Sequence, residues 1–250
     1  MKLKITLSSN RPISLPLHHN RALQGFIYAN LGLFASFFHD FGIPVSGRLL
    51  KPLTFSRLFG RSRIDRERKR ALFKPPVYFY FSSLFEEVLS TYATILLKKP
   101  FLKLGRNLVQ VEKIEVIEER VSGNEAVVKT LSPIVVRKTV EGKSLYLNPG
   151  QEEFYRLLAK NLAKKSRLYA GREVSPEEIE IEPAPGAFFK KAVVYYKGYP
   201  YEAYKGKFLI RAPKEAIETA LLTGLGERNS QGFGMVIVDG EPSGLPARLV

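Results

Sequence analysis

Four glycines fall within eleven residues in Gly224-Leu-Gly226-Glu-Arg-Asn-Ser-Gln-Gly232-Phe-Gly234. Such density implies positive φ or the close approach of another backbone or a ligand. A phosphate-cradling loop needs the order strand, loop, helix, with the anion on the helix N-terminus. Here the periodicity predicts helix, loop, strand, and no Gly-Lys-Ser/Thr follows, so P-loop and Rossmann chemistry is disfavoured. A glycine-rich connection without a ligand is the plainer alternative. A second concentration lies between Arg61 and Lys74, with seven basic residues against two acidic ones. Arg61, Arg63, Arg66, Arg68, Lys69 and Arg70 would create a field suited to phosphates; the plainer reading is a solvated hairpin tip.

Groups able to move a proton at neutral pH are few. The three histidines are an adjacent pair, His18-His19, and a singleton, His39. Nothing like H-E-x-x-H occurs, and the absence of cysteine excludes a disulfide framework and a thiolate zinc site. Neither a metal nor a cofactor is expected. Lys and Arg number 39 against 24 Asp and Glu, a formal charge of +15 that fits a polyanionic partner such as nucleic acid. No apolar run approaches the roughly 18 residues that span a bilayer. The opening MKLKITLSS alternates instead of forming a signal-peptide core. The expectation is a cytoplasmic protein without a membrane partner.

These residues must be positioned by a folded α+β chain. Its 250 residues suit two domains of about 120 each. Lys2 to Ser8 alternates as a strand. Leu23, Phe26, Ile27, Leu31 and Phe34 follow at helical spacing, with Asn20 as the cap. Leu53–Phe59 and Val77–Ser82 predict a hairpin with the arginine-rich stretch as its loop. Leu84 to Leu96 is a second helix, and Lys103 to Ile117 a strand with a bulge near Lys113. That order, β-α-β-β-α-β, is ferredoxin-like, and it repeats. Val127–Val136 is a strand, and Asn148-Pro-Gly-Gln151 starts a helix. Glu178–Glu182 and Lys191–Lys197 are strands, Tyr204–Ala212 extends them, and Pro213–Thr223 is a helix stopped by Gly224. Met235–Val238 closes the unit. The expected domains are 1–123 and 124–240, with a tail at 241–250. Gln231–Val238 also echoes the RNA-recognition-motif signature, but its first residue and two aromatic positions differ, and too little chain follows it.

The glycine segment resembles the glycine-rich loop of the RAMP superfamily of CRISPR-associated proteins, with Gly224, Gly226, Gly232 and Gly234 in place. The rest resembles the repeat-processing endoribonuclease family Cas6, through Leu15-Pro-Leu-His-His19, Leu23-Gln-Gly-Phe-Ile-Tyr28, Lys51-Pro-Leu-Thr-Phe-Ser56 and Leu131-Ser-Pro-Ile134. The resemblance implies two tandem ferredoxin-like domains and cleavage of CRISPR repeat RNA without a metal. It implies Tyr28, His39 and Lys51 as the catalytic residues, and RNA contacts from the basic stretch, the four loop glycines and Arg228. RNA supplies its own nucleophile, the 2′-hydroxyl. Cleavage then needs a base, an acid and a cation for the charged phosphorane, and which of Tyr28 and His39 is base or acid stays open. In one unbroken helix Tyr28 and His39 would stand about 16 Å apart, so the helix must bend or end, with Gly32 the best place. His18 and His19 are the reserve histidines. Repeat RNA is the implied partner, with other CRISPR-associated proteins as further candidates and a monomer or homodimer as the state. The alternatives are a non-catalytic RAMP-type RNA-binding subunit and a generic tandem RNA-binding module.

Overall fold

The computed structural model describes residues 1–40, 42–45, 47–169 and 173–240; the expected tail at 241–250 lies outside them. The first half runs β1 (Lys2–Ser8), β2 (Ile13–Pro16), α1 (Asn20–Tyr28), α2 (Phe34–Asp40), β3 (Ile43–Val45), β4 (Arg48–Leu50), β5 (Leu53–Phe55), β6 (Phe59–Asp65), β7 (Arg70–Ser83), α3 (Glu86–Lys98), β8 (Leu102–Leu104) and β9 (Asn107–Ile117). Its sheet has the path β2-β7-β1-β9-β8, with β5 and β6 also paired to β7. The strands β9-β1-β7-β6 therefore stand in the ferredoxin-like order 4-1-3-2. Alternation in β1 sends Leu3, Ile5 and Leu7 into a core with Phe79, Phe81, Phe26, Leu89 and Tyr92. The bulge falls where Thr6 pairs with Lys113 and Leu7 with Val111.

The second half runs β10 (Glu125–Thr130), β11 (Arg137–Val140), β12 (Lys143–Tyr146), α4 (Glu152–Ser166), β13 (Glu180–Pro183), β14 (Lys190–Tyr196), β15 (Tyr199–Lys205), β16 (Lys207–Arg211), α5 (Lys214–Thr223) and β17 (Val236–Val238). The sheet order β13-β16-β10-β17 is again ferredoxin-like, with α4 and α5 covering one face through Phe154, Leu158, Leu162, Ile217 and Leu221. A small cluster joins the halves: Phe59 and Tyr80 from the first meet Leu131, Met235 and Ile237 from the second. All five are buried, each worth about 1.5–3 kcal/mol as apolar surface removed from water.

Four local expectations are corrected. The arginine-rich stretch is mostly strand, with only Arg66–Lys69 turning between β6 and β7, because Arg61, Arg63 and Asp65 alternate along an exposed ribbon. Asn20 is not a cap; His19 takes that position and Asn20 opens the helix. The strand expected from Lys103 is a hairpin, β8–β9, which turns at Gly105 with φ +60. The Asn148–Gln151 exchange, in which the Asn148 N–H reaches Gln151 Oε1 at 2.8 Å, forms a turn that precedes α4.

Candidate active site

The first long helix breaks where the chemistry would need it to. Asn30 turns its backbone N–H to Ile27 O at 3.0 Å, while its side-chain amide takes Phe26 O at 2.8 Å. The helical ladder is thereby capped. Gly32 then adopts φ +59, and α2 starts at Phe34 in a new direction. Tyr28 is left at the C-terminal end of α1.

Asn20, Gln24 and Tyr28, four residues apart, share one face of α1, and that face meets the glycine loop. The Asn20 amide donates to Gln231 O at 3.0 Å and Gly232 O at 2.9 Å. The Gln24 amide donates to Ser230 O at 2.7 Å and accepts from the Tyr196 hydroxyl. Tyr28 lies one turn further along beside Ser230 on the cleft wall, and burial pushes its phenol up to about 12. At neutral pH it is a hydrogen-bond donor.

The loop's glycines face protein. Gly224, Gly226, Gly232 and Gly234 all have φ between 68 and 82 and all are buried. A Cβ on Gly232 would lie 2.5 Å from Phe55 of the first half, and one on Gly226 2.5 Å from Val135 O. A buried lysine of α4 holds the loop from behind: Lys165 Nζ donates to Gly224 O and Gly226 O at 2.9 Å and to Asn229 Oδ1 at 2.7 Å. Burial pushes this amine down to about 7, opposed by the Glu227 carboxylate. Asn229 points inward, while Glu227, Arg228, Ser230 and Gln231 are left partly exposed.

They face a cleft of about 1110 Å³ between the halves. One wall carries Arg21, Gln24, Tyr28 and Lys51; the other carries Lys160 and Lys164 of α4, Arg137 and Lys138 of β11, Lys197 and Arg228. Among the described residues Glu227 is the one acid lining it, and Arg137 pairs with it at 2.7 Å. Burial lowers Lys51, opposed by Asp40. A cleft with this balance concentrates polyanions. Sequence reasoning missed Arg21, Arg137, Lys138, Lys160, Lys164 and Lys197; the i, i+4 spacing of the α4 lysines was the available signal.

Residues 14–115 match the family model described as CRISPR-associated protein Cas6, N-terminal, and residues 112–238, just over half the chain, match CRISPR associated protein Cas6, C-terminal. The chain belongs to the Cas6 family. The CRISPR-associated endoribonuclease Cas6 of Pyrococcus furiosus is 29% identical over 242 residues, spanning 92% of this chain and 86% of that protein. A solved structure of a Cas6-related protein from Pyrococcus furiosus superposes with TM-score 0.80 at 24% identity, covering 96% of this chain and 99% of that one. Another, described as a RAMP protein binding different RNA substrates, gives TM-score 0.77 at 25% identity, with 95% and 99% covered.

In this Cas6 chain, Tyr28 and Lys51 line the same cleft. His39 lies in α2, and its side chain is outside the described residues. The reserve histidines differ from each other. His18 is partly exposed and packs on Tyr195, with ring centroids 5.1 Å apart. His19 is buried edge-on against Phe73 and is held down to about 3, first by burial and then by Arg57, so it stays neutral at working pH. The unfolded chain takes up that proton below about 6.5, whereas the folded chain refuses it until about 3. Stability is therefore expected to fall as pH drops through that window, by at most about 1.4 kcal/mol per unit from this group. Urea unfolding at pH 7 and pH 4.5 checks this: His19→Leu should lose less stability between the two than the unaltered chain. An equal loss would assign the acid sensitivity elsewhere.

The arginine ribbon stands apart from the cleft. None of Arg61, Arg63, Arg66, Arg68, Lys69 and Arg70 is among the residues lining it. Arg70 is engaged internally, donating to Ser14 Oγ at 3.0 Å and Ser14 O at 2.7 Å. Lys69 O accepts the Leu17 N–H at 3.0 Å, tying the turn to the segment just ahead of α1. Arg228 places its guanidinium over the Tyr201 ring at 4.6 Å. Among the described residues no three His, Asp or Glu side chains gather as metal ligands, and no helix is long and apolar enough to cross a membrane.

Proposed function

We propose that this chain is an endoribonuclease that cuts CRISPR repeat RNA in the basic cleft, using the substrate's own 2′-hydroxyl and no metal. The observation that carries the reading is the meeting of Tyr28 and Lys51 on a cleft whose walls, among the described residues, hold one acid among many cations, in a chain of the Cas6 family. The 2′-oxygen bonds to phosphorus as the P–O5′ bond breaks. The proton of the 2′-hydroxyl passes to a base, another reaches the departing 5′-oxygen, and the products are a 2′,3′-cyclic phosphate and a 5′-hydroxyl. Tyr28, kept a phenol by its raised pKa, orients the sugar hydroxyl or gives up a proton. His39 is the side chain assigned to take up or return the other proton, the general acid-base role that imidazole serves in catalysis. Lys51 stabilises the phosphorane charge.

The RNA meets the loop at Arg228, Ser230 and Gln231, and the buried glycines serve it indirectly by fixing the loop. The arginine ribbon binds flanking RNA, and the domains divide at Gly123. The alternative of a non-catalytic RAMP-type subunit has no specific observation in its favour. Incubation with a panel of repeat RNAs in excess chelator tests the reading. Site-specific cleavage leaving a cyclic phosphate is expected. Binding without cleavage would return the chain to the non-catalytic alternative, and cleavage that needs an added divalent ion would replace the mechanism.

A further inference from the structure

We propose that Lys165 is a positioning residue for cleavage: from the second domain, it sets the glycine loop in the one shape that holds Tyr28 in register with Lys51. This rests on the reading of the cleft as an RNA-cleaving site. The surroundings of Nζ are specific. Two backbone carbonyls and one side-chain carbonyl, from Gly224, Gly226 and Asn229, stand within 2.9 Å. All three are acceptors, which matches the three N–H donors of an ammonium. Lys165 is 6% exposed and lies almost wholly under the loop at the floor of the cleft.

The hydrogen bonds continue outward as far as the first helix. The Asn229 amide, with its oxygen on Lys165, donates to Leu225 O and Phe233 O at 3.0 Å. This fixes the turn formed by residues 229–231. The carbonyls at the turn's far side, Ser230 O, Gln231 O and Gly232 O, receive Gln24 and Asn20 of α1. Tyr28 stands one turn beyond Gln24 on the same face of that helix and lines the cleft beside Ser230. Lys165 touches neither substrate nor Tyr28; it acts through the turn. Without it, three largely buried acceptors lose their donor, and the turn shifts to find others. Misplacing a reacting group by about 1 Å can cost roughly 10²-fold in rate.

The experiment is single-turnover cleavage, at saturating protein, of the repeat RNA that the unaltered chain cuts, alongside affinity for its 2′-deoxy analogue. Lys165→Met is expected to cut about 10- to 100-fold more slowly while affinity changes less than about threefold. Gln24→Leu, which breaks the path at α1 and leaves Lys165 in place, should slow cleavage as well. The double variant should then be little slower than the slower single, since both act on one path. Effects that multiply independently, or cleavage by Lys165→Met at the unaltered rate, overturn the assignment. If Lys165→Met does not fold, Gln24→Leu decides alone, and an unchanged rate overturns it. An unaltered chain that cuts no repeat RNA overturns the enzyme reading and this assignment together, whereas normal cutting by the variants overturns only this one.

Discussion

A repeat RNA carrying a single 2′-deoxy sugar immediately 5′ of the scissile phosphate is expected to bind this protein with unchanged affinity and to remain intact. Removing that hydroxyl removes the nucleophile and leaves almost every phosphate contact in place, so binding and cutting separate completely. The protein-side counterpart is His39→Ala, which should lose a proton-transfer contribution of about 10²- to 10⁴-fold in rate with affinity nearly intact. Lys51→Ala should lose rate and some affinity together, because an ammonium beside phosphate serves bound and reacting states alike. Quantifying uncut RNA over long incubation, next to filter-binding affinity, provides the check. Scission of the deoxy substrate at the normal site would mean that a water attacks instead.

The second large effect is expected at Gly234. Its φ of +72 is already costly for any side chain. A Cβ there would fall on the Leu225 carbonyl oxygen and lie 2.7 Å from Asn229 Nδ2. The same residue carries two backbone bonds at 2.8 Å, its N–H to Pro133 O and its carbonyl from Leu225 N–H, so it cannot shift without breaking both. Conformational strain alone is worth about 1–3 kcal/mol, and the overlap adds to it. Gly234→Ala should lower Tm by at least ~6 °C and slow cleavage. The control is Gly142→Ala, with φ +76 in open space, which should show the strain alone and no loss of cleavage. If the two variants behaved alike, the packing account of the loop would be wrong.

How much of this could be read from the residues depends on which interactions are local. The doubled β-α-β-β-α-β order was legible because Leu3, Ile5 and Leu7 alternate on one strand, and Phe154, Leu158 and Leu162 repeat at helical spacing on another element; both patterns are set by burial on a single face. The need for a break after Tyr28 was also legible, as a distance that an unbroken helix could not satisfy. The arginine ribbon reads as a loop in the sequence because Arg61, Arg63 and Asp65 charge one face of its first strand while Gly60, Ser62 and Ile64 stand exposed on the other, so the period of two buries no face. The cleft lining was illegible for a different reason. Lys164 and Lys165 are neighbours of one type on one helix that both border the cleft, yet only the second is buried, under the glycine loop. The packing of that loop on α4 separates them, and no local pattern announces it.

The shared cluster of Phe59, Tyr80, Leu131, Met235 and Ile237 makes the cleft a rigid mould. Parting the halves would wet five large side chains at once, about 7–15 kcal/mol by their apolar surface, which is comparable to the whole stability of many proteins. The protein is therefore in no position to open around its substrate. On the proposed reading, accommodation falls to the RNA. Selection among RNAs then turns on how readily a given sequence deforms, as well as on which bases it displays.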